Sequence, residues 1–350
     1  MAAEGGKGMT ARRFCQLTLG GTLLCLLLVI GLVVLVDPFE IYHRALFYIP
    51  SFRSETQSYS NAGVAKSFDY DSVLVGSSVT ENSTPSVYEA ALGGRFVKLC
   101  MNGGTAMDHA RMLEMAFRTH TIRRVVYGID VFAYPVYWTN QKMVTPNYLY
   151  DADLLNDVYY WFNEDVLFKE IPYAFRHPGK MNEQGIRDWM YAWDPPEMPS
   201  PESLRVKVAD PVPAQQPSRM ELIEMNIEHN LVSFIEAHPD TEFDLFFPPY
   251  SLSYWRNQMN NGQFEADMEC RDRIIECVTD YANVRLYDFA LMREWVTDYK
   301  NYYDYRHYTS GINDAMAFAI QEDRMRILSV EQGKRNTDEL RRMTMDPSIP

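Results

Sequence analysis

Two short segments near opposite ends of the chain carry residues that could perform nucleophilic chemistry. The first, VLVGSSVTENS at positions 73–83, reads as a buried strand that ends at Gly76 and presents Ser77 and Ser78. A strand that stops on small residues either makes a tight turn or holds a serine nucleophile at its tip. The segment therefore predicts a turn in which one of the two serines can attack a substrate.

The second segment, NYYDYRHYTSGIND, places Asp304 three positions before His307. In a helical or turn-like segment this step brings both side chains to one side of the chain. The carboxylate can then accept the Nδ1 proton of the imidazole, which leaves Nε2 free to take a proton from a serine. Asp-x-x-His also occurs as a surface ion pair or a helix cap, and Gly-Ser-Ser as a plain turn. Their combination is what predicts a serine-dependent site.

The elements that would position these residues alternate between strands and helices. Helical segments are expected at 106–119, from Ser218 to about His238, and at 265–281. The strand-like runs are VLV at 73–75, FVKLC at 96–100, RRVVYGID at 123–130, FDLFFPP at 243–249 and VRLYDF at 284–289. Strands separated by helix-length segments predict an α/β fold of three layers, with a mainly parallel sheet between two layers of helices.

In a parallel sheet, ligands bind beyond the carboxyl ends of the strands. The residues that follow each strand are therefore candidate site residues and are expected to share one rim. They are Ser77 and Ser78 after the first strand, Asn102 and Gly104 after the second, Asp130 after the third, and Tyr250 and Ser251 after the fourth. Ser77, Asn102 and Asp130 are expected to line the cleft.

Composition excludes several classes of function. The formal net charge of −14 disfavours nucleic acid as a partner, because binding it requires clustered Lys and Arg. No Cys or His spacing predicts a zinc site, and no Gly-x-Gly-x-x-Gly or Gly-Lys-Ser/Thr motif indicates a nucleotide cofactor. Neither a metal nor a cofactor is expected, and the five cysteines do not form a disulfide framework.

The N-terminus predicts a transmembrane helix at 14–36, a run without a charged residue. Its length suffices to cross a hydrocarbon core of about 30 Å. Lys7, Arg12 and Arg13 precede it, which favours a cytoplasmic N-terminus at 1–13 and an extracytoplasmic location for the rest. A cleaved signal peptide is the alternative, but it usually has a shorter apolar region and small residues at its exit, where this chain reads VLVDPF.

The remaining chain divides into a stalk at 37–68, a domain at 69–330 and a polar, frayed tail at 331–350. Within the domain, an aromatic-rich insertion at 131–217 separates the third and fourth strands. It includes a proline-rich tract that is expected to wrap as a loop.

These motifs together resemble the SGNH/GDSL hydrolase-like superfamily, in particular its membrane-anchored acyltransferase branch. That branch includes the teichoic acid D-alanine-transfer protein and the alginate O-acetylation accessory proteins. VLVGSSVTENS is similar to the family's first block, which implies that Ser78 is the nucleophile. NGGTA resembles the second block and implies that Gly104 donates to the oxyanion. DYRH matches the final Asp-x-x-His and implies a triad with Asp304 and His307.

One departure from the family concerns the oxyanion hole. The third block of the family offers an Asn side chain, whereas this region reads FFPPYS. Either the backbone N–H groups of Ser78 and Gly104 suffice, or Tyr250 or Ser251 takes the place of that Asn. Loss of one such donor costs on the order of 100- to 1000-fold in turnover, which favours a specialised transferase over a fast esterase.

The resemblance implies an extracytoplasmic acyltransferase or esterase that acts on a cell-surface glycan or teichoic acid. It also implies a partner, a multi-pass membrane-bound O-acyltransferase that supplies the acyl group. The alternative is a non-catalytic scaffold that keeps the fold and assists envelope assembly or binds a glycan.

Overall fold

A computed structural model of the chain describes residues 10–142, 145–179, 181–195, 197–208 and 219–349. Six strands form one sheet, and helices occupy most of the remaining chain. The strands are β1 Ser72–Gly76, β2 Phe96–Cys100, β3 Arg124–Gly128, β4 Glu242–Phe247, β5 Val284–Asp288 and β6 Arg326–Ile327. The helices are α1 Ala11–Val36, α2 Gln57–Ser67, α3 Pro85–Leu92, α4 Ala106–Thr119, α5 Val158–Trp161, α6 Ile171–Arg176, α7 Glu183–Trp189, α8 Met220–Ile227, α9 Ser233–Ala237, α10 Leu252–Asn260, α11 Phe264–Val278, α12 Arg293–Val296, α13 Ser310–Gln321 and α14 Val330–Met345.

The sheet has the order β2-β1-β3-β4-β5-β6 and is parallel except for the antiparallel β6. All positions of β1, β2 and β3 are buried. Continuous apolar runs such as VLV in β1 and VVY in β3 suit parallel strands, which are covered on both faces. The five strands expected from the sequence are confirmed. The sixth has only two residues and lacks any run that could have predicted it.

The helices around the sheet agree closely with their sequence patterns. Helix α4 has the predicted bounds and begins with a capping box, in which Thr105 and Asp108 each satisfy the other's backbone N–H. Helix α11 carries Cys270 and Cys277, and both are free thiols. The helix expected at 218–238 is α8 and α9 joined by a π-helical turn at Glu228–Val232. Ser218 lies outside the described residues.

Helix α1 is the long apolar segment expected at the N-terminus, and it begins three residues earlier than the charge-free run. It is long and apolar enough to span a membrane. Most of its side chains face away from the protein, but Val33 and Val36 in its last turn are buried. Thus α1 is exposed along most of its length and meets the rest of the protein only at its C-terminal end.

Three boundaries expected from the sequence are wrong. The stalk at 37–68 is part of the fold, because α2 packs on β2 and α4 and contributes Val64 and Ala65 to the core. The tail at 331–350 is largely helix α14, whose Leu340 is fully buried. The insertion is more ordered than a wrapping loop. Its described part contains α5, α6 and α7, and its Tyr134 and Tyr160 are fully buried.

Candidate active site

The candidate site begins where β1 ends, at the point where the strand order reverses between β2 and β3. A crevice forms at such a switch point in an open α/β sheet. Gly76 is the last residue of β1, and a Cβ at this position would lie 2.3 Å from Thr80 Oγ1. Glycine therefore lets the chain turn tightly into the single 3-10 turn of Ser78–Thr80. The turn leaves Ser78 at the carboxyl edge of the sheet.

Ser78 meets His307, which comes from the loop between β5 and α13. Ser78 Oγ lies 2.9 Å from His307 Nε2, although 229 positions separate the two residues in sequence. The other ring nitrogen, Nδ1, lies 2.7 Å from Asp304 Oδ2. Since an ionised carboxylate only accepts hydrogen bonds, Nδ1 carries the proton, and Nε2 is the acceptor for the Ser78 hydroxyl.

Asp304 is held in place by the backbone of its own loop. Its Oδ1 accepts hydrogen bonds from the N–H groups of Arg306 at 2.7 Å and His307 at 2.8 Å. Partial burial acts to raise the pKa of Asp304, but the hydrogen bonds from His307 and Arg306 outweigh it, and the pKa is lowered. The carboxylate therefore stays ionised and can stabilise a protonated imidazole.

The expected role of Gly104 in the oxyanion hole is not supported by its contacts. Its N–H donates to the carbonyl of Met101 at 2.9 Å, closing a turn, and the residue is buried. A donor already engaged in this way is not free for a substrate oxygen. In contrast, the Ser78 N–H makes no hydrogen bond with any of the described residues.

Tyr250 and Ser251 are likewise engaged elsewhere. The Tyr250 hydroxyl donates to Asp130 Oδ1, and the residue is only 1% exposed. The Ser251 hydroxyl donates to the carbonyl of Tyr305 at 2.5 Å and accepts from the N–H of Tyr254, which caps α10. Neither side chain has a free donor directed at the site, so neither replaces the missing Asn.

Ser77 and Asp130 lie beneath the site rather than in an open cleft, since each is 1% exposed. Burial raises the pKa of Asp130, while hydrogen bonds from Tyr250 and Ser77 and the charge of Arg306 act in the opposite direction. The guanidinium of Arg306 packs over the ring of Phe132. This buried cluster supports the loop that carries His307. The sequence predicts that Ser77 and Asp130 line an open cleft, and this is wrong. A position just after a strand does not indicate how deeply the side chain is buried.

Asn102 is the one expected cleft residue that is exposed. Its backbone N–H donates at 2.8 Å to Oε1 of Gln57, a fully buried residue of α2. Gln57 Nε2 in turn donates at 2.7 Å to Glu81 Oε1. One amide side chain therefore ties the loop after β2 to the loop after β1, and so fixes the position of Asn102 relative to Ser78.

Glu81 was not recognised from the sequence, although it follows Ser78 by three residues. It is 1% exposed, and burial raises its pKa to about 7, against the opposing effects of Gln57, Trp193 and His307. Its backbone carbonyl accepts from Lys98 Nζ at 2.8 Å. Carboxyl groups whose pKa is raised by burial and that lie close to an imidazole are enriched in functional sites, so Glu81 joins Ser78 and His307 as a candidate site residue.

Trp193 brings the insertion to the site. Its ring packs edge-on against His307, with centroids 5.2 Å apart, and also contacts Tyr303 at 5.3 Å. The backbone N–H of Trp193 donates to Asn82 Oδ1 at 2.8 Å. Nothing in the proline-rich tract distinguished Trp193 from the other aromatic residues, because its role depends on a contact made only in the folded chain.

Within the described ranges, no group of three or more His, Cys, Asp or Glu residues could hold a metal ion. No family model matches the chain, and comparisons with curated proteins and with solved structures found no similar one.

Proposed function

We propose that this protein is a membrane-anchored serine O-acyltransferase or esterase with an SGNH-like fold of three layers. The observation that carries the proposal is the unbroken series of contacts from Ser78 Oγ to His307 Nε2 and from His307 Nδ1 to Asp304. Nucleophile, base and orienting carboxylate are each within hydrogen-bond distance of the next, which is the geometry that activates a serine.

In the proposed reaction, Ser78 Oγ attacks the carbonyl carbon of an ester or thioester while His307 Nε2 takes the hydroxyl proton. Asp304 stabilises the imidazolium that forms. Collapse of the tetrahedral intermediate breaks the bond to the leaving oxygen or sulfur, which receives that proton from His307. The acyl group is then transferred from Ser78 to a hydroxyl or to water, and His307 acts again as the base.

The free N–H of Ser78 is the proposed backbone donor for the oxyanion, and the exposed Asn102 is the proposed side-chain donor. Both lie at the carboxyl edge of adjacent strands, since Gly76 pairs with Cys100 in the parallel register of β1 and β2. Gln57 holds the Asn102 backbone in place. This assignment replaces Gly104, Tyr250 and Ser251, whose donors are already engaged.

The setting of the reaction follows from α1. We propose that α1 spans the membrane with the cationic residues Arg12 and Arg13 in the cytoplasm, so that the domain lies outside. A hydroxyl of a cell-surface polysaccharide or teichoic acid is then the accessible acceptor. A multi-pass O-acyltransferase in the same membrane is the proposed partner that supplies the acyl group.

The test is labelling of the purified full chain by a fluorophosphonate, which reacts with activated serines. Ser78→Ala and His307→Gln should abolish labelling, whereas Ser203→Ala, an exposed serine of the insertion, should not. The labelled peptide, identified by mass spectrometry, should contain Ser78. Undiminished labelling of Ser78→Ala, or loss of labelling in Ser77→Ala alone, would contradict the assignment.

A non-catalytic scaffold is the second candidate function. It is favoured by one observation, that Gly104, Tyr250 and Ser251 all use their donors within the protein. A scaffold predicts that the unmodified chain does not react with the fluorophosphonate. The same experiment therefore distinguishes the two functions, because the reagent needs an activated serine but no partner or natural substrate.

A further inference from the structure

The C-terminal end of α1 is fixed to the domain by hydrogen bonds to its last carbonyls. The Tyr48 hydroxyl oxygen lies 3.0 Å from the carbonyl oxygens of both Val36 and Asp37, which share its single proton. His43 Nε2 lies 2.7 Å from the carbonyl of Val34. These contacts occupy the groups that an isolated helix end would leave to water. The helix therefore continues into the domain without a flexible joint.

The turn that follows α1 is equally constrained. The Asp37 carboxylate accepts from the N–H groups of Ile41, Tyr42 and His43, at 3.0, 2.7 and 3.1 Å. The Tyr42 hydroxyl then donates to Asp157 at 2.9 Å and accepts from the Trp161 indole at the same distance. Because Asp157 directly precedes α5 and Trp161 is its last residue, that short helix is held against the end of α1.

Exposed apolar side chains lie on two sides of the junction between α1 and the domain. Next to Tyr48, the rings of Phe47 and Phe175 stack at 6.0 Å, and each is 53% exposed. On the α5 side, Leu155 is 85% exposed. We call this surface the apolar collar, and its members are Leu46, Phe47, Leu154, Leu155, Val158, Tyr159 and Phe175. Exposed apolar side chains grouped in this way indicate a binding surface.

The length of α1 sets the height of the collar relative to a bilayer. The charge-free run begins at position 14, and the helix becomes covered by the domain at Val33. The 14–32 portion rises about 28 Å at about 1.5 Å per residue, which matches a hydrocarbon core of about 30 Å. Phe47 is next to Tyr48, and Val158 and Tyr159 belong to α5, and both Tyr48 and α5 contact the end of α1. On this geometry the collar would lie where acyl chains meet headgroups.

We propose that the apolar collar inserts into the outer surface of the bilayer and holds the domain in a fixed orientation on the membrane. The inference requires α1 to span the membrane but does not depend on the catalytic assignment. Leucine, phenylalanine and tyrosine side chains suit the interface, where apolar surface is buried and hydroxyls stay hydrated. The exposed Asp153 beside Leu154 and the exposed Arg176 beside Phe175 give the collar both signs of charge, which suits zwitterionic lipid.

The experiment places an environment-sensitive fluorophore on single cysteines of the full chain in phosphatidylcholine nanodiscs. Cys15, Cys25 and Cys277 are replaced by Ser, and the fluorophore is attached at Leu155→Cys or Phe47→Cys. A matched control is Leu328→Cys, a residue 73% exposed beside β6 and remote in sequence from the collar. Native Cys25, restored alone, reports on α1 itself. Quenching is measured with nitroxide lipids labelled near the glycerol end or in the middle of the acyl chain.

We expect the Leu155 and Phe47 positions to be quenched at least threefold more by the nitroxide near the glycerol end than Leu328. Cys25 should be quenched most by the nitroxide in mid-chain. If Cys25 is quenched but the collar positions match Leu328, α1 spans the membrane and the collar proposal is wrong. If the collar positions are shielded from aqueous iodide without lipid quenching, a protein covers them instead, and the proposal is also wrong.

Discussion

Asp304 illustrates how few contacts are needed to orient the proposed base. Its carboxylate accepts from the His307 ring and from two backbone N–H groups, and all three donors belong to the next three residues. The loop itself therefore fixes the ring and its tautomer, as the Asp-x-x-His spacing predicts. Only the position of Ser78 relative to this loop depends on the rest of the fold.

Glu81 should make stability depend on pH. Its pKa is about 7 in the folded protein, against 4.5 for an unperturbed glutamate. Between pH 4.5 and 7, Glu81 is protonated in the folded state and ionised in the unfolded state, so the free energy of unfolding falls as the pH rises. The stability that the protonated Glu81 contributes is complete below pH 4.5 and is lost once the pH has risen through 7. Relative to the unmodified chain, Glu81→Gln should gain about 3 kcal/mol in free energy of unfolding between pH 4.5 and 8.5.

Chemical denaturation of the full chain in detergent at several pH values measures this effect. Glu55→Gln is a suitable control, because Glu55 is exposed and precedes α2 without entering the site. Its free energy of unfolding should follow that of the unmodified chain at every pH. A Glu81→Gln curve parallel to the unmodified one would show that burial of Glu81 does not perturb its titration.

Among the elements, α2 contributes to the site although no pattern in its sequence predicts a buried helix. It lies in a segment expected to be a stalk, yet it packs on β2 and supplies Gln57, which connects the loops after β1 and β2. Its close approach to the chain after α1 depends on Gly63. A Cβ there would lie 1.7 Å from the carbonyl oxygen of Phe39.

Gly63→Ala should therefore force α2 away from the 39–40 segment and destabilise the protein by about 3 kcal/mol, since overpacking against backbone cannot be relieved by a side-chain rotation. Gly311→Ala is the matched control, because the nearest atom to a Cβ in that helix is 3.8 Å away. At position 311, the higher helix propensity of alanine should raise the free energy of unfolding by up to about 1 kcal/mol. Equal effects of the two variants in thermal unfolding would show that α2 is loosely attached.

The comparison of α2 with the strands shows what the sequence could predict. VLV in β1 and VVY in β3 are recognisable because local apolar runs specify buried parallel strands. Asp-x-x-His is recognisable because its partners are three residues apart. Helix α2 has the sequence QSYSNAGVAKS, with small polar residues and no apolar stripe. Its burial depends on close packing and hydrogen bonds to distant residues. Trp193, Gln57 and the engaged state of Gly104 belong to the same class of non-local contacts.

At the scale of the whole molecule, helix α14 covers the side of the fold formed by α10 and α11. Helix α14 packs against α11, where Gly333 leaves no room for a larger residue beside Ile275. Arg256 of α10 donates to the carbonyls of Thr344, Asp346 and Ile349 and holds the end of the chain in place. The segment from 331 to 349 therefore completes the core around α10 and α11.

Leu340→Ala should show that this terminal helix is structural rather than a polar tail. Leu340 is fully buried in the main core, and truncation of such a residue costs about 3 kcal/mol, from lost transfer free energy and from the cavity that remains. Met345→Ala, at the end of the same helix and 45% exposed, should cost less than about 1 kcal/mol. Urea denaturation of both variants in detergent gives the difference. If both lie within about 0.5 kcal/mol of the unmodified chain, α14 does not contribute to the cooperative core that holds α11 against the sheet.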